Sequence, residues 1–234
     1  MIEILQRNCM NLNMYFDLYP NRNENGGFFT WKKIIWIRKS PYPRQRFSLR
    51  QLTVIGLLSA LTVVLGVSGL GFIPIPPIYA TILHIPTLIG ALLEGPKIGM
   101  VIGFIFGSYS LVQNFVQPNI MSFVFLNPII SILPRMLIGP IAYYVYRYLP
   151  IKRPLWRVMI ALFVGTIVHT VMVMGLIYLI YAEPYAAAKG IPVDHVANIV
   201  IGVAVFHGPL EALAAVVVGT PVVMAIRAKL KTDK

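Results

Sequence analysis

Long apolar stretches are the feature that most constrains the fold of this chain. They follow one another from Ser48 to Arg227 with few charged residues between them, and apolar stretches of about 20 residues are typical of bilayer-spanning helices. Only 12% of the 234 residues are charged, whereas an ordinary soluble domain has roughly 25%. The sequence therefore predicts an all-α integral membrane protein that crosses the cell membrane several times.

The apolar stretches divide into six predicted transmembrane helices. The second is short, since its roughly fourteen residues would rise only about 21 Å against a hydrocarbon core of about 30 Å. It follows the segment "GFIPIPPIY", whose prolines do not fit the interior of an ordinary helix. We expect residues 71–79, with Pro74, Pro76, Pro77 and Tyr79, to be irregular and to cap or line a cavity. The predicted helices cover residues 51–70, 80–93, 97–113, 123–148, 155–182 and 196–226.

The start of the membrane domain is marked by a capping signal. Ser48 and Gln51 form an S-x-x-Q capping box, so we predict a six-helix membrane domain over residues 48–234. Residues 1–47 differ in composition, being first polar and then basic and aromatic. We interpret them as a poorly ordered extension, with a segment lying on the membrane surface as the alternative.

The distribution of Lys and Arg predicts the orientation in the membrane, because cytoplasmic loops are enriched in these residues. The loops on the opposite side, at 71–79, 114–122 and 183–195, contain no Lys or Arg other than Lys189. Both termini are therefore expected to be cytoplasmic. The basic residues on the predicted cytoplasmic side are Arg44, Arg46, Arg50, Lys97, Arg147, Lys152, Arg153, Arg157, Arg227, Lys229, Lys231 and Lys234.

Few polar residues are expected inside the membrane, where an ionisable side chain is costly and is a functional candidate by default. Arg135 has three possible partners: Glu211 in an ion pair, a backbone carbonyl left without a donor by a nearby proline, or the carboxylate or phosphate of a substrate. We predict a substrate-binding set that also includes two asparagines near the outer helix ends. The full set is His84, Asn127, Arg135, His169, Asn198, His207 and Glu211.

Several classes of function lack their sequence signals. The chain has one cysteine, no H-E-x-x-H, no G-x-S-x-G and no P-loop, so we expect neither an enzyme nor a metal site or other cofactor. Any ATP-driven activity would need the ATPase of another chain. The net charge is +12, with nine of the 20 Lys and Arg in residues 1–50 and most of the rest between apolar stretches. A basic surface for nucleic acid would be clustered on a folded face, so this distribution does not favour nucleic acid as a partner.

Small residues at four-residue spacing predict close helix contacts. Gly56 and Ala60 form such a pair in the first span, where contact within the chain and contact with another molecule are both open. Gly99, Gly103 and Gly107 repeat the spacing in the third span, for which we favour packing within the chain.

From about Ser48 to Arg227 the chain resembles the substrate-binding S components of energy-coupling factor (ECF) vitamin transporters. The resemblance rests on "GFIPIPPIYATILHIPTLIGALLEGPKIGMVIGFIFGSYSLVQ" (71–113) and "SFVFLNPIISILPRMLIGPIAYYVY" (122–146). It implies a six-helix protein that binds a vitamin from outside. Its partners would be a transmembrane coupling protein and two ATPase subunits. Residues 71–79 would form the outer lid, and Gly56 and Ala60 would dock on the coupling protein.

The blocks are most similar to the pantothenate and folate branch of this family. Pantothenate, which is small and carboxylated, is the first expected substrate, and folate is the second. The rival interpretation is a stand-alone secondary transporter or channel that couples to protons through His169, His207 or Glu211.

Overall fold

A computed structural model of the chain describes residues 47–75, 78–118 and 122–232. Of the predicted extension over residues 1–47, only Phe47 lies within these ranges. In chain order the elements are α1 (Leu49–Val67), β1 (Phe72–Ile75), β2 (Ile78–Thr81), α2 (Ile85–Glu94), α3 (Pro96–Val116), α4 (Ser122–Phe125), α5 (Pro128–Ser131), α6 (Leu133–Tyr148), α7 (Pro154–Lys189), a short 3₁₀ turn (Val193–His195) and α8 (Val196–Thr232).

The helical membrane architecture is confirmed. Within the described ranges, five helical segments are long and apolar enough to cross a bilayer: Leu49–Val67, Pro96–Val116, Pro128–Tyr148, Pro154–Ala188 and Val193–Leu230. The predicted second span is the ten-residue helix α2, which rises only about 15 Å. The count of six spans therefore stays a prediction.

Helix α1 begins where the capping signal predicts. The Ser48 hydroxyl accepts a hydrogen bond from the backbone N–H of Gln51 at 3.2 Å, and the Gln51 side chain accepts one from the Ser48 N–H at 3.0 Å. The buried residues of α1 recur every three or four positions and form one stripe. They are Ile55, Ser59, Thr62 and Gly66. Most of the remaining surface of α1 is exposed, including Gly56 and Ala60.

The segment predicted to be irregular instead forms an antiparallel hairpin of β1 and β2. Phe72 pairs with Thr81 and Pro74 with Tyr79. Pairing the two strands with each other satisfies backbone groups that an irregular segment would leave open. Pro74 is tolerated because each strand of a two-stranded sheet has an unpaired edge. The hairpin also explains why α2 starts at Ile85 rather than near residue 80. Pro76 and Pro77 lie outside the described residues.

The predicted fourth span, residues 123–148, is divided into α4, α5 and α6. Asn127 caps α5 by accepting a hydrogen bond from the Ile129 N–H at 2.9 Å, and Pro128 and Pro134 occupy the first turns of α5 and α6. Proline is favourable in a first helical turn and unfavourable in an interior. Pro128 and Pro134 therefore determine where the predicted fourth span is interrupted.

Helix α2 lies at the centre of the largest core cluster. Eight of its ten residues are buried, and they pack against α6, α7 and α8 around Ile138, Leu162 and Ala215. A helix that is apolar on all sides is expected to be surrounded by protein. Helix α2 therefore anchors the chain that leads out of the hairpin.

The glycines of α3 pack against other parts of the chain, as predicted from their four-residue spacing. A Cβ atom on Gly103 would overlap the backbone carbonyl of Arg135, and one on Gly107 would lie 2.7 Å from the Cα of Ile132. Helix α3 thus lies directly against α5 and α6, and only glycine fits at these two points.

We predict that Gly103→Ala lowers the melting temperature of the protein in detergent. Overpacking costs about 1–3 kcal/mol, which outweighs the roughly 1 kcal/mol that alanine gains over glycine in a helix. Gly175→Ala in α7 is the control, because nothing lies within 4 Å of its added Cβ, and it should leave the melting temperature equal or higher. Equal melting temperatures for the two variants would contradict the close packing of α3 on α6.

Candidate functional site

Arg135 lies in the first turn of α6 and is a buried charged residue of the predicted membrane region. Its side chain is only 8% exposed. Its Nη1 donates hydrogen bonds to the backbone carbonyls of Ser131 at 2.7 Å and Ile130 at 3.1 Å. A buried charge needs such partners, and here the neighbouring backbone supplies them.

The preceding proline explains why a carbonyl is available. Pro134 has no N–H and cannot donate to the carbonyl of Ile130 four residues earlier. The guanidinium of Arg135 donates to that carbonyl instead. The sequence pattern Pro134–Arg135 therefore has a direct structural role, in which the arginine replaces the donor that the proline lacks.

These hydrogen bonds use only one nitrogen of the guanidinium. Nε is buried and has no hydrogen-bond partner among the described residues, and Nη2 is not used in the bonds to Ile130 and Ser131. The guanidinium carbon lies 5.1 Å from the ring centre of Phe106 and 5.6 Å from that of Phe125. The aromatic rings hold the guanidinium plane, so its Nε–Nη2 edge has a fixed direction. This edge is the fork that suits a carboxylate.

Glu211 on α8 does not form a salt bridge with Arg135, although both belong to the described residues. Its Oε1 accepts from the backbone N–H of Thr81 at 2.8 Å. Its Oε2 accepts from the hydroxyl of Thr170 at 3.3 Å. The carboxylate therefore joins the end of the hairpin to α7 and α8.

His84 precedes α2 and is fully buried. Its Nε2 lies 3.2 Å from the hydroxyl oxygen of Thr166, and that oxygen also lies 2.9 Å from the carbonyl oxygen of Leu162. The ring of His84 stacks on His169 with the ring centres 5.9 Å apart.

Two further histidines carry buried nitrogens without partners. Both ring nitrogens of His169 and of His207 lack a hydrogen-bond partner in the described part of the chain, and the ring of His207 lies against Phe206. Buried polar atoms are nearly always paired in proteins. Unpaired ones inside a membrane domain are therefore candidates for contact with a polar ligand.

The structure brings four of the seven predicted site residues together. Arg135 is close enough to His84, His169 and Glu211 to interact electrostatically. His84 and Glu211 are also connected through Thr166 and Thr170, because the Thr170 hydroxyl lies 3.2 Å from the Thr166 carbonyl. His207 is on α8 one turn before Glu211 and is buried.

The two asparagines have different surroundings. Asn127 caps α5, and its amide nitrogen lies 3.4 Å from the hydroxyl of Tyr181, so part of its hydrogen-bonding capacity serves the local structure. Asn198 is exposed in the first turns of α8, and no contact with the other site residues is seen. Their proposed role in binding has no support from these contacts.

Three residues of the network are absent from the predicted set: Thr81, Thr166 and Thr170. Thr166 and Thr170 are four residues apart and so share a face of α7, and His169 lies between them in "GTIVHT". This spacing could have been used to predict that both threonines belong to the network. The contact of Thr81 with Glu211 spans 130 residues and has no local signal.

The arrangement suits a small anionic ligand. The buried guanidinium of Arg135 lies within electrostatic range of two stacked imidazoles and of Glu211, and the Glu211 carboxylate is already hydrogen-bonded. Within the described ranges, no three His, Cys, Asp or Glu side chains come together in a group that could hold a metal ion.

Comparison with known proteins agrees with the fold. The sequence model of the family described as "ECF transporter, substrate-specific component" matches residues 50–223. A solved chain from "Structure and mechanism of the S component of a bacterial ECF transporter" has a TM-score of 0.52 and 20% identity, over 78% of this chain and 96% of that chain. This structural likeness supports a shared fold.

A curated relative is the pantothenic acid transporter PanT of Lactococcus lactis subsp. cremoris (strain MG1363). It is 29% identical over 121 residues, which cover 46% of this chain and 60% of the relative. This chain therefore spans less than two thirds of that relative's length. Since the family model matches most of the described membrane domain, the chain belongs to the substrate-specific components of ECF transporters.

Proposed function

We propose that the chain binds pantothenate at the outer side of the membrane and passes it to an ECF module for import. The single observation that carries this proposal is the buried Arg135, whose Nε–Nη2 edge forms no hydrogen bond with the described residues and suits the carboxylate of pantothenate. The pantothenate transporter among its relatives favours this substrate over folate, whose two-carboxylate tail would need more positive charge.

The proposed binding mode places the carboxylate on Arg135 and the rest of the ligand against the histidines. A bidentate arginine–carboxylate pair fixes orientation as well as supplying energy. The unpaired nitrogens of His169 and His207 can donate to or accept from the hydroxyl and amide groups of pantothenate, because a neutral imidazole has one donor and one acceptor.

The hairpin β1–β2 is the proposed outer lid. Its Thr81 N–H is bound by Glu211, and the carbonyl of Gly71 accepts from the Ile82 N–H at 3.0 Å. Opening the hairpin for a ligand would break the hydrogen bond to Glu211. The strength of this one bond therefore helps to set how fast ligand enters and leaves.

Delivery to the inside requires partners. We propose that the exposed Gly56–Ala60 surface of α1 docks on a transmembrane coupling protein whose two ATPase subunits supply the energy, with both termini cytoplasmic. Gly56 has no atom of the chain within 4 Å of a built Cβ, so another helix can approach closely at this point.

We predict that Arg135→Ala weakens pantothenate binding at least about tenfold, because a hydrogen bond to a charged group contributes about 1.5–3 kcal/mol. Arg135→Lys should recover only part of this affinity, since an ammonium lacks the planar fork. Binding is measured by isothermal titration calorimetry in detergent, with folate, riboflavin and thiamine as comparison ligands.

The matched control for the arginine is Arg153→Ala, an exposed arginine at the start of α7, which should bind like the unmodified protein. If Arg135→Ala binds pantothenate as tightly as the control, Arg135 does not receive the carboxylate. If another vitamin raises the melting temperature and pantothenate does not, the substrate assignment is wrong.

We predict that Glu211→Ala speeds pantothenate dissociation and the hydrogen exchange of the Thr81 amide, while weakening equilibrium binding less than Arg135→Ala does. Glu211→Gln keeps an acceptor for the Thr81 N–H and should be intermediate. Leu213→Ala, an exposed change on the same helix, is the control. Unchanged exchange at Thr81 in Glu211→Ala would show that Glu211 does not hold the hairpin.

We predict that Gly56→Leu prevents co-purification with the coupling protein and leaves pantothenate binding intact. Leu61→Phe is the control, since it is also exposed on α1 but lies about 100° around the helix axis from Ala60. A normal complex with Gly56→Leu would place the docking surface elsewhere. Uptake that continues without the coupling protein would favour a stand-alone transporter.

A further inference from the structure

A basic cleft lies at the end of the helix bundle that is predicted to be cytoplasmic. Its volume is about 390 Å³, which falls in the range of roughly 300–1,000 Å³ typical of small-molecule sites. Residues from the end of α2, the end of α6, the start of α7 and the end of α8 line it. They include Glu94, Tyr146, Arg147, Arg157 and Arg227.

Tyr146 organises the cationic side of this cleft. The guanidinium carbons of Arg157 and Arg227 lie 4.5 Å and 4.2 Å from the centre of its ring. Its carbonyl accepts from Nε and Nη2 of Arg157 at 3.0 Å and 2.6 Å, and its hydroxyl is bound by Arg227. Both guanidinium groups are therefore held in place by the protein before any ligand arrives.

The cleft keeps an excess of positive charge. Three arginines line it against one carboxylate, and that carboxylate, Glu94, already pairs with Arg50 at 2.6 Å. The hydrogen bonds of Arg157 use Nε and Nη2 but not Nη1, and those of Arg227 use its two terminal nitrogens but not Nε. Arg147 is exposed at the rim. Donors and charge are thus available for an anion.

Aromatic residues place the cleft at the level of the lipid headgroups. Tyr144 and Tyr148 stack on each other with ring centres 6.1 Å apart, and both are exposed, as is Trp156 in the first turn of α7. Exposed Tyr and Trp are enriched at the membrane–water interface. An anion at this level is therefore most readily supplied by the membrane itself.

We infer that this cleft binds the phosphate of an anionic phospholipid headgroup, at a site separate from the proposed substrate site. Basic pockets between transmembrane helices bind such headgroups. The arginines recognise the phosphate, and the unbalanced positive charge selects a headgroup without a compensating amine. A bound lipid would connect α2, α6, α7 and α8 at this end of the bundle.

The test uses the full chain purified in a neutral detergent and titrated with phosphatidylglycerol, phosphatidylcholine or inorganic phosphate. Native mass spectrometry counts bound lipid, and the melting temperature is recorded in parallel. We expect tight binding of phosphatidylglycerol only. Arg147→Gln should weaken it about fivefold, in line with the contribution of one arginine near an anionic lipid surface, and Arg147→Lys should restore most of the affinity.

Arg153→Gln is the matched control, because Arg153 is exposed in the same loop region but does not line the cleft, and it should change binding less than about twofold. Equal losses in Arg147→Gln and Arg153→Gln would show diffuse surface attraction and overturn the site. Equal stabilisation by phosphatidylcholine or by inorganic phosphate would overturn the assignment to an anionic lipid. Pantothenate binding by Arg147→Gln should be unchanged, which separates this site from the proposed transport function.

Discussion

The rest of the site depends on one interaction, the anchoring of the Arg135 guanidinium by its hydrogen bonds to the carbonyls of Ile130 and Ser131. It fixes a charge inside a membrane domain without a salt bridge to a carboxylate among the described residues. An arginine paired with a carboxylate would have its fork occupied. Here Nη1 is bonded to the backbone, and we propose that the Nε–Nη2 edge receives the ligand, which would give one side chain both a structural and a binding role.

Because Glu211 forms no salt bridge with Arg135, its carboxylate oxygens accept other hydrogen bonds. A carboxylate that is largely removed from water needs hydrogen bonds, and the partly buried Glu211 obtains them from Thr81 and Thr170. These hydrogen bonds connect the hairpin to α7, which carries His169, and to α8, which carries His207. In the proposed function, the ligand on Arg135 would lie within electrostatic range of the Glu211 carboxylate that holds the hairpin.

Local features were predictable from the sequence, whereas long-range contacts were not. The capping box of Ser48 acts within three residues, and the carbonyl contacts of Arg135 act within four or five, so each can be inferred from a short segment. The contacts of Thr81 with Glu211 and of Thr166 with His84 span 130 and 82 residues. Nothing local specifies them, because they depend on how the helices pack.

The hairpin shows a second limit of prediction. Three prolines excluded an ordinary helix at residues 71–79, but strand pairing depends on a partner strand and on edges where proline is harmless. Hydropathy predicted the helical spans well, because burial in lipid requires apolar residues whatever the neighbouring helices are. The sequence predicts that the second helical span is short, and α2 is short. It begins at Ile85 rather than at residue 80, because residues 78–81 form strand β2.

The most direct test of the central claim compares the affinity of the unmodified protein for pantothenate with that for the analogue whose carboxylate is replaced by a primary alcohol. If the Nε–Nη2 edge of Arg135 receives the carboxylate, the alcohol should bind at least about tenfold more weakly, since it forms no charge-assisted pair. Equal affinity for the two compounds would contradict a carboxylate on Arg135.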